Sequence, residues 1–222
     1  MIYQLPFPLI GQNEVSGSLA IDWAGQLYGV DSNQNVFRLA FECFQFCRWT
    51  VTNLHTFGTG ADGAYPNSPV VLDSAGNIYG TTQAGGNFDD GTVWKLKPVI
   101  SGKERGTYNE RILHSFNSVK NGFFPNAGVT LDSSGNIYRT TADGGKYGAY
   151  PGDGTIFKIT ASGNTYTYKL LWNFNGTDGY APYYSPIVGT SGNLYGTTTY
   201  GGPDYNYNNR TPGYGLVYEL EP

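Results

Sequence analysis

Short apolar runs, interrupted at regular intervals by polar Gly-rich segments, set the pattern of this chain. From Ser68 to Phe116 an apolar run (SPVVLD, Ser68–Asp73) meets an Asp-Ser-Ala-Gly turn, and a second run follows (NIYGTT, Asn77–Thr82). A polar loop (Gln83–Gly91), a third run (TVWKL, Thr92–Leu96), a variable excursion and a fourth run (RILHSF, Arg111–Phe116) complete the unit. The runs are too short for helices and rich in β-branched and aromatic residues, which predicts strands. An Asp opening and a Gly closing the first turn predict a tight reversal. The same order returns at Gly128–Asp132, Asn136–Thr141, Thr155–Ile159 and Thr167–Phe174.

The pattern occurs four times: IDWAGQLYG (Ile21–Gly29), LDSAGNIYG (Leu72–Gly80), LDSSGNIYR (Leu131–Arg139) and VGTSGNLYG (Val188–Gly196). Their second residues, Asp22, Asp73, Asp132 and Gly189, lie 51, 59 and 57 residues apart. A period of roughly 40–60 residues points to a propeller or solenoid, because each unit is too small to bury its own apolar face. Four antiparallel strands per unit predict the blade of a β-propeller. The fourth unit stops at its third strand, Leu216–Glu221, while the chain begins with Ile2–Phe7 (IYQLPF), which matches the fourth-strand pattern of Asn53–Phe57 and Leu171–Phe174. The expectation is therefore an all-β, four-bladed propeller in one domain, residues 1–222. Its blades start near residues 17, 68, 127 and 185, and residues 1–8 close the ring by completing the last blade. A solenoid, or a larger ring made by a dimer, is the alternative to a monomer.

The signature L-D-S-x-G-N-[IL]-Y-G-T-T-x-x-G-G, followed by G-T-[VI]-[WF]-K-[LI], resembles the Gloeo/Verruco (GloVer) tandem repeat of microbial, often exported, choice-of-anchor proteins. The match is strong in units two and three, weaker in four and eroded in one, where the loop shrinks to Val30–Asn35. The resemblance implies a propeller-type repeat and an extracytoplasmic setting. It supplies no reaction and no catalytic residues.

Charged residues make up 14% of the chain and the net charge is −4, with no Lys/Arg cluster, which argues against nucleic acid as a partner. There is no apolar stretch of about 18 residues, so no membrane span is expected. The N-terminal segment lacks the basic region and long apolar stretch of a signal peptide, as a chain exported and already matured would. Cys43 and Cys47 sit where one strand turns back into the next, so they read either as a disulfide or as two free thiols. A bridge would imply an oxidising, extracellular or cell-surface compartment. His55 and His114 occupy equivalent positions that Trp172 fills in the third unit, which reads as packing or a structural hydrogen bond and leaves no His for a nucleophile–base pair.

The loops after each second strand and after each fourth strand share one face of such a fold, and loops on a rigid scaffold are where binding is built. That face collects Tyr65, Phe124, Tyr147, Tyr150, Tyr180, Tyr183, Tyr205 and Tyr207 beside Asn and Asp side chains. Flat rings with paired donors and acceptors suit a sugar's C–H faces and hydroxyls. Arg139 replaces the Gly of Gly29, Gly80 and Gly196, and so calls for room and a partner, with Asp143 and Asp153 as candidates. The reading is a lectin-like, carbohydrate-binding module using these rings with Asp90, Arg139, Asp143 and Asp153. No cofactor is expected, although clustered Asp and Asn could hold a structural Ca²⁺. One alternative is a polysaccharide-active hydrolase or lyase using Asp90, Asp143 or Asp153 with Arg139. A protein-interaction or adhesion module is the other.

Overall fold

A computed structural model describes residues 15–43, 47–117, 121–123, 125, 127–147, 153–163, 165–206 and 212–222. These residues build four antiparallel sheets in chain order. Sheet I comprises β1 (Val15–Ile21), β2 (Leu27–Asp31), β3 (Asn35–Cys43) and β4 (Cys47–Thr56); sheet II has β5 (Val71–Leu72), β6 (Ile78–Thr82), β7 (Thr92–Pro98) and β8 (Tyr108–Ser115). Sheet III has β9 (Thr130–Leu131), β10 (Ile137–Thr141), β11 (Thr155–Ser162) and β12 (Thr165–Asn173); sheet IV has β13 (Ile187–Val188), β14 (Leu194–Thr198) and β15 (Leu216–Leu220). Every strand pairs with its sequence neighbour, so each sheet is an up-and-down meander. The strand that would complete sheet IV, Ile2–Phe7, lies outside the described residues.

The first turn of each unit explains the repeated Asp and Tyr. Asp73 Oδ1 accepts the backbone N–H of Ala75 and of Asn77, while Oδ2 accepts the Asn77 amide and the Tyr79 hydroxyl. Asp132 makes the same four bonds with Ser134, Asn136 and Tyr138. Asp22 binds Ala24, Gln26 and Tyr28 alike. Such an Asx turn replaces backbone partners that a three-residue reversal leaves unmade. In sheet IV the Asp is Gly189, and Glu219 on β15 takes its place, accepting from both Tyr195 and Asn193.

Successive sheets pack face to face through three apolar cores. Tyr28, Val30, Val36 and Phe57 of sheet I meet Ile78, Trp94 and Leu96 of sheet II. Tyr79, Val93 and Phe116 of sheet II meet Ile137, Phe157 and Ile159 of sheet III, and Tyr138, Ile156 and Phe174 of sheet III meet Leu194 of sheet IV. A glycine on the second strand serves this packing. The Trp94 ring lies across Gly80 where a Cβ would intrude on it, and Phe37 and Tyr218 lie likewise across Gly29 and Gly196. The face of sheet IV that points onward along the series is open. Val217 is 78% exposed, whereas its equivalents Val36, Val93 and Ile156 are buried.

Cys43 and Cys47 form a disulfide across the turn between β3 and β4, with Cα atoms 4.0 Å apart. The open choice in the sequence is thus settled as a bridge. It staples the outer hairpin of sheet I, where the exposed Phe41 ring and the half-buried Trp49 ring pack 5.3 Å apart.

Candidate functional site

The two loop sets do meet. Isolated bridges join Ala64 to Ala84, Phe123 to Asp143 and Tyr180 to Tyr200, pairing the loop that precedes each sheet with the loop after its second strand. The approach is close enough to demand glycine. A side chain at Gly63, Gly122 or Gly179 would collide with Thr82, Thr141 or Thr198, and all three glycines have φ near +90°.

Just before these loops, each of the first three sheets carries a ring near the end of its fourth strand, held by a side chain six or seven residues on. His55 Nε2 lies 3.2 Å from Asp62, whose other oxygen accepts the Gly58 N–H. Asn121 donates to His114 Nε2 and accepts the Asn117 N–H. Trp172 Nε1 donates to Asp178, which accepts the Asn175 N–H. The histidines are thus structural caps of the following loop. His114 is further enclosed, stacked on Tyr168 at 4.0 Å, and burial pulls its pKa down to about 4. Trp172 has no such cover and is 42% exposed.

That exposed indole borders a groove of about 310 Å³ lined by Lys146, Tyr147, Leu170, Leu171, Trp172, Asn173 and Asn175. The Trp172 bond to Asp178 fixes its plane. Lys146 Nζ sits 5.0 Å from the centre of the Tyr147 ring, a cation–π contact that steadies the second ring. Asn173 Oδ1 accepts the Lys146 N–H, which ties the loop to β12. Two partly exposed aromatic faces therefore flank an apolar floor with amide and ammonium donors at its rim, a combination that stacks on and hydrogen-bonds a polyhydroxylated ring.

Asp178 connects this groove to a tyrosine cluster on sheet IV. Burial, and then Asp178, push the Asp153 carboxyl above its usual range. Burial, then Tyr200, Tyr205, Asp153 and Tyr183, raise the Tyr180 phenol. Tyr180 stacks on Tyr200 at 5.1 Å and meets Tyr205 edge-on at 5.6 Å. Tyr147, Asp153, Tyr180, Tyr183 and Tyr205, five of the expected residues, thus belong to one side of the molecule, at the junction of sheets III and IV. Tyr65 and Asp90 stand on the loops of sheet II instead, with Tyr65 56% exposed and its N–H bonded to the Gln34 side chain. Asp143 is half-buried in the loop bridged to Phe123, and that burial raises its pKa. Phe124, Tyr150 and Tyr207 lie outside the described residues.

Arg139 requires a correction. It is 1% exposed, and its recorded partners are backbone carbonyls, with Nε donating to Thr140 and Nη1 to Gly128, not a carboxylate. Burial lowers its pKa to about 9, so it stays charged at neutral pH. It occupies the position that glycine holds in the other sheets and is closed off from solvent. Among the described residues, no three carboxylate, His or Cys side chains converge as metal ligands, and no helix is long and apolar enough to cross a membrane.

Trp172, Lys146, Asn173, Asn175 and Tyr200 complete the site without having been singled out in the sequence. The available signal was the replacement of His55 and His114 by Trp172, a departure from the repeat at a position where both other units keep imidazole. Compared with known proteins, the chain matches no family model and no curated protein, so the GloVer-like motif and the geometry of this groove stand on their own.

Proposed function

We propose that this protein is an exported, carbohydrate-recognition module of the GloVer-repeat type, and that its four sheets are the blades of a four-bladed propeller working as a monomer. The observation that carries the binding reading is the groove with its two partly exposed rings, Trp172 and Tyr147, held in place over an apolar floor beside Asn173, Asn175 and Lys146. Loss of an aromatic stacking face removes about 0.5–1.5 kcal/mol of binding, enough to weaken a sugar ligand roughly two- to tenfold. The disulfide supports an oxidising compartment. Among the described residues, no Asp or Glu lines this groove, so a paired-carboxylate hydrolase finds no support in it.

The test is retention on a broad polysaccharide and glycan panel, with and without calcium. The intact protein is expected to hold a subset of the panel, and Trp172→Ala and Tyr147→Ala to release it while Tyr65→Ala does not. Uniform silence across the panel, or unchanged retention in both groove variants, overturns the reading.

A further inference from the structure

We infer that a cavity between sheets III and IV, beside β12 and β15, is a binding site for a small organic cation with a trimethylammonium head. It is a second site next to the glycan groove. The two share Trp172 and, among the described residues, no other lining residue. The inference therefore stands whether or not the groove binds sugar.

The cavity has a volume of about 160 Å³. An apolar cavity of that order accommodates a benzene ring, and a trimethylammonium group is of similar bulk. Three aromatic side chains wall it: Trp172 on β12, Phe174 just beyond that strand, and Tyr218 on β15. Phe174 and Tyr218 meet at 61° with ring centres 5.5 Å apart, so they form a corner and not a flat stack. The polar tips of the other two rings are turned elsewhere. Trp172 Nε1 donates to Asp178, and the Tyr218 hydroxyl is buried where that side chain crosses Gly196. What remains for the cavity is aromatic surface, whose ring faces attract a cation.

The charges agree. Among the described residues that line the cavity, Asp178 and Glu219 are acidic and none is basic. Asp178 accepts from the Trp172 indole and the Asn175 N–H, and Glu219 accepts from Tyr195 and Asn193, which fixes both carboxylates in place. The bonds to Glu219 hold its carboxyl below the usual range, so it is ionised at neutral pH. Glu219 also departs from the repeat. Opposite the second-strand tyrosine, sheets I, II and III place Arg38, Lys95 and Lys158, whereas sheet IV pairs Tyr195 with an acid. Lys95 and Lys158 lie over the rings of Tyr79 and Tyr138, at 5.0 and 5.2 Å from their centres. Sheet IV thus exchanges a cation of the chain for a carboxylate at an aromatic cavity. Methyl groups suit its apolar walls while the carboxylates meet the charge. A bare ammonium is more strongly hydrated and loses that water against the same walls.

The intact protein tests this by titration with choline and with free Nε-trimethyllysine, two carriers of the same head, against matched sodium chloride. The Trp172 indole N–H is followed by NMR. A saturable shift is expected with at least one of them, and the tighter binder identifies the source of the head group. The uncharged tert-butyl analogue of choline is expected to bind at least about tenfold more weakly, since it lacks the cation–π attraction. Glu219→Gln keeps a carbonyl acceptor for Tyr195 and is expected to weaken binding about threefold or more while glycan retention is unchanged. Tyr218→Phe keeps the ring and is expected to bind as the parent does. Tyr147→Ala is expected to lose glycan retention and keep the cation, so the two sites fail separately. Absence of a saturable shift with both cations, equal binding of the uncharged analogue, or a shift lost in Tyr147→Ala and kept in Glu219→Gln overturns the inference.

Discussion

Single residues here take their meaning from departures as much as from repetition. Arg139 is the clearest case. A guanidinium in place of glycine looks like a ligand reader, yet the folded chain buries it against two backbone carbonyls. Arg139→Met withdraws the donors from the Thr140 and Gly128 carbonyls and is expected to lower stability by about 2–3 kcal/mol while leaving glycan retention intact, measured by urea melts and by the same panel. A loss of retention at unchanged stability would restore Arg139 to the site. Trp172 is the reverse case, a residue whose indole counted in the sequence only as a sign that two histidines were structural, and which the fold turns outward.

At the scale of the element, the Asp turn is the repeated device. Asp73 gathers two backbone and two side-chain donors, tying the β5–β6 turn to Tyr79 at the core boundary. Asp73→Ala leaves all four without their acceptor and is expected to cost about 2–3 kcal/mol, at the scale of several part-buried hydrogen bonds. A denaturant midpoint that does not move would contradict this account. Sheet IV shows that the requirement is for an acceptor and not for an Asp in the turn. With Gly189 in the turn, Glu219 reaches across from β15 to take Tyr195 and Asn193.

Across the whole molecule, the boundary between sheets I and II carries a proton-sensitive group. Burial, and then Asp62 from the loop after sheet I, push the Glu110 carboxyl on β8 up to about 7. Unfolded, it would titrate near 4.5. Between these values the folded chain holds a proton that the unfolded chain has released, so this group lowers stability as pH rises from about 4.5 to 7. His114 acts in the opposite sense. Its pKa falls from 6.5 to about 4 on folding, so the unfolded chain binds the proton first and stability drops as pH falls through that window. Glu110→Gln is expected to raise stability at pH 8 by about 1–2 kcal/mol after allowance for its partial solvent contact, and to change it little at pH 4. Equal effects at both pH values would remove Glu110 as the titrating group.

How much of this was legible in one dimension follows from the range of the forces involved. Strand order, the Asp turns, the glycine positions and the meander of each sheet depend on residues within one repeat, where a three-residue reversal and alternating apolar positions leave a direct trace; the four sheets match the four repeats for that reason. The clustering of Tyr147, Asp153, Tyr180, Tyr183 and Tyr205 on one side, with Tyr65 and Asp90 elsewhere, depends on how sheets III and IV pack. The same holds for the burial of Arg139, the near-neutral titration of Glu110 and the exposure of Trp172. Each is set by what the neighbouring sheet places opposite, a contact between residues distant in the chain. From the sequence alone came the repeat, the strand order and the loop face; only the tertiary structure decided which side chains on that face meet an open groove and which meet another sheet.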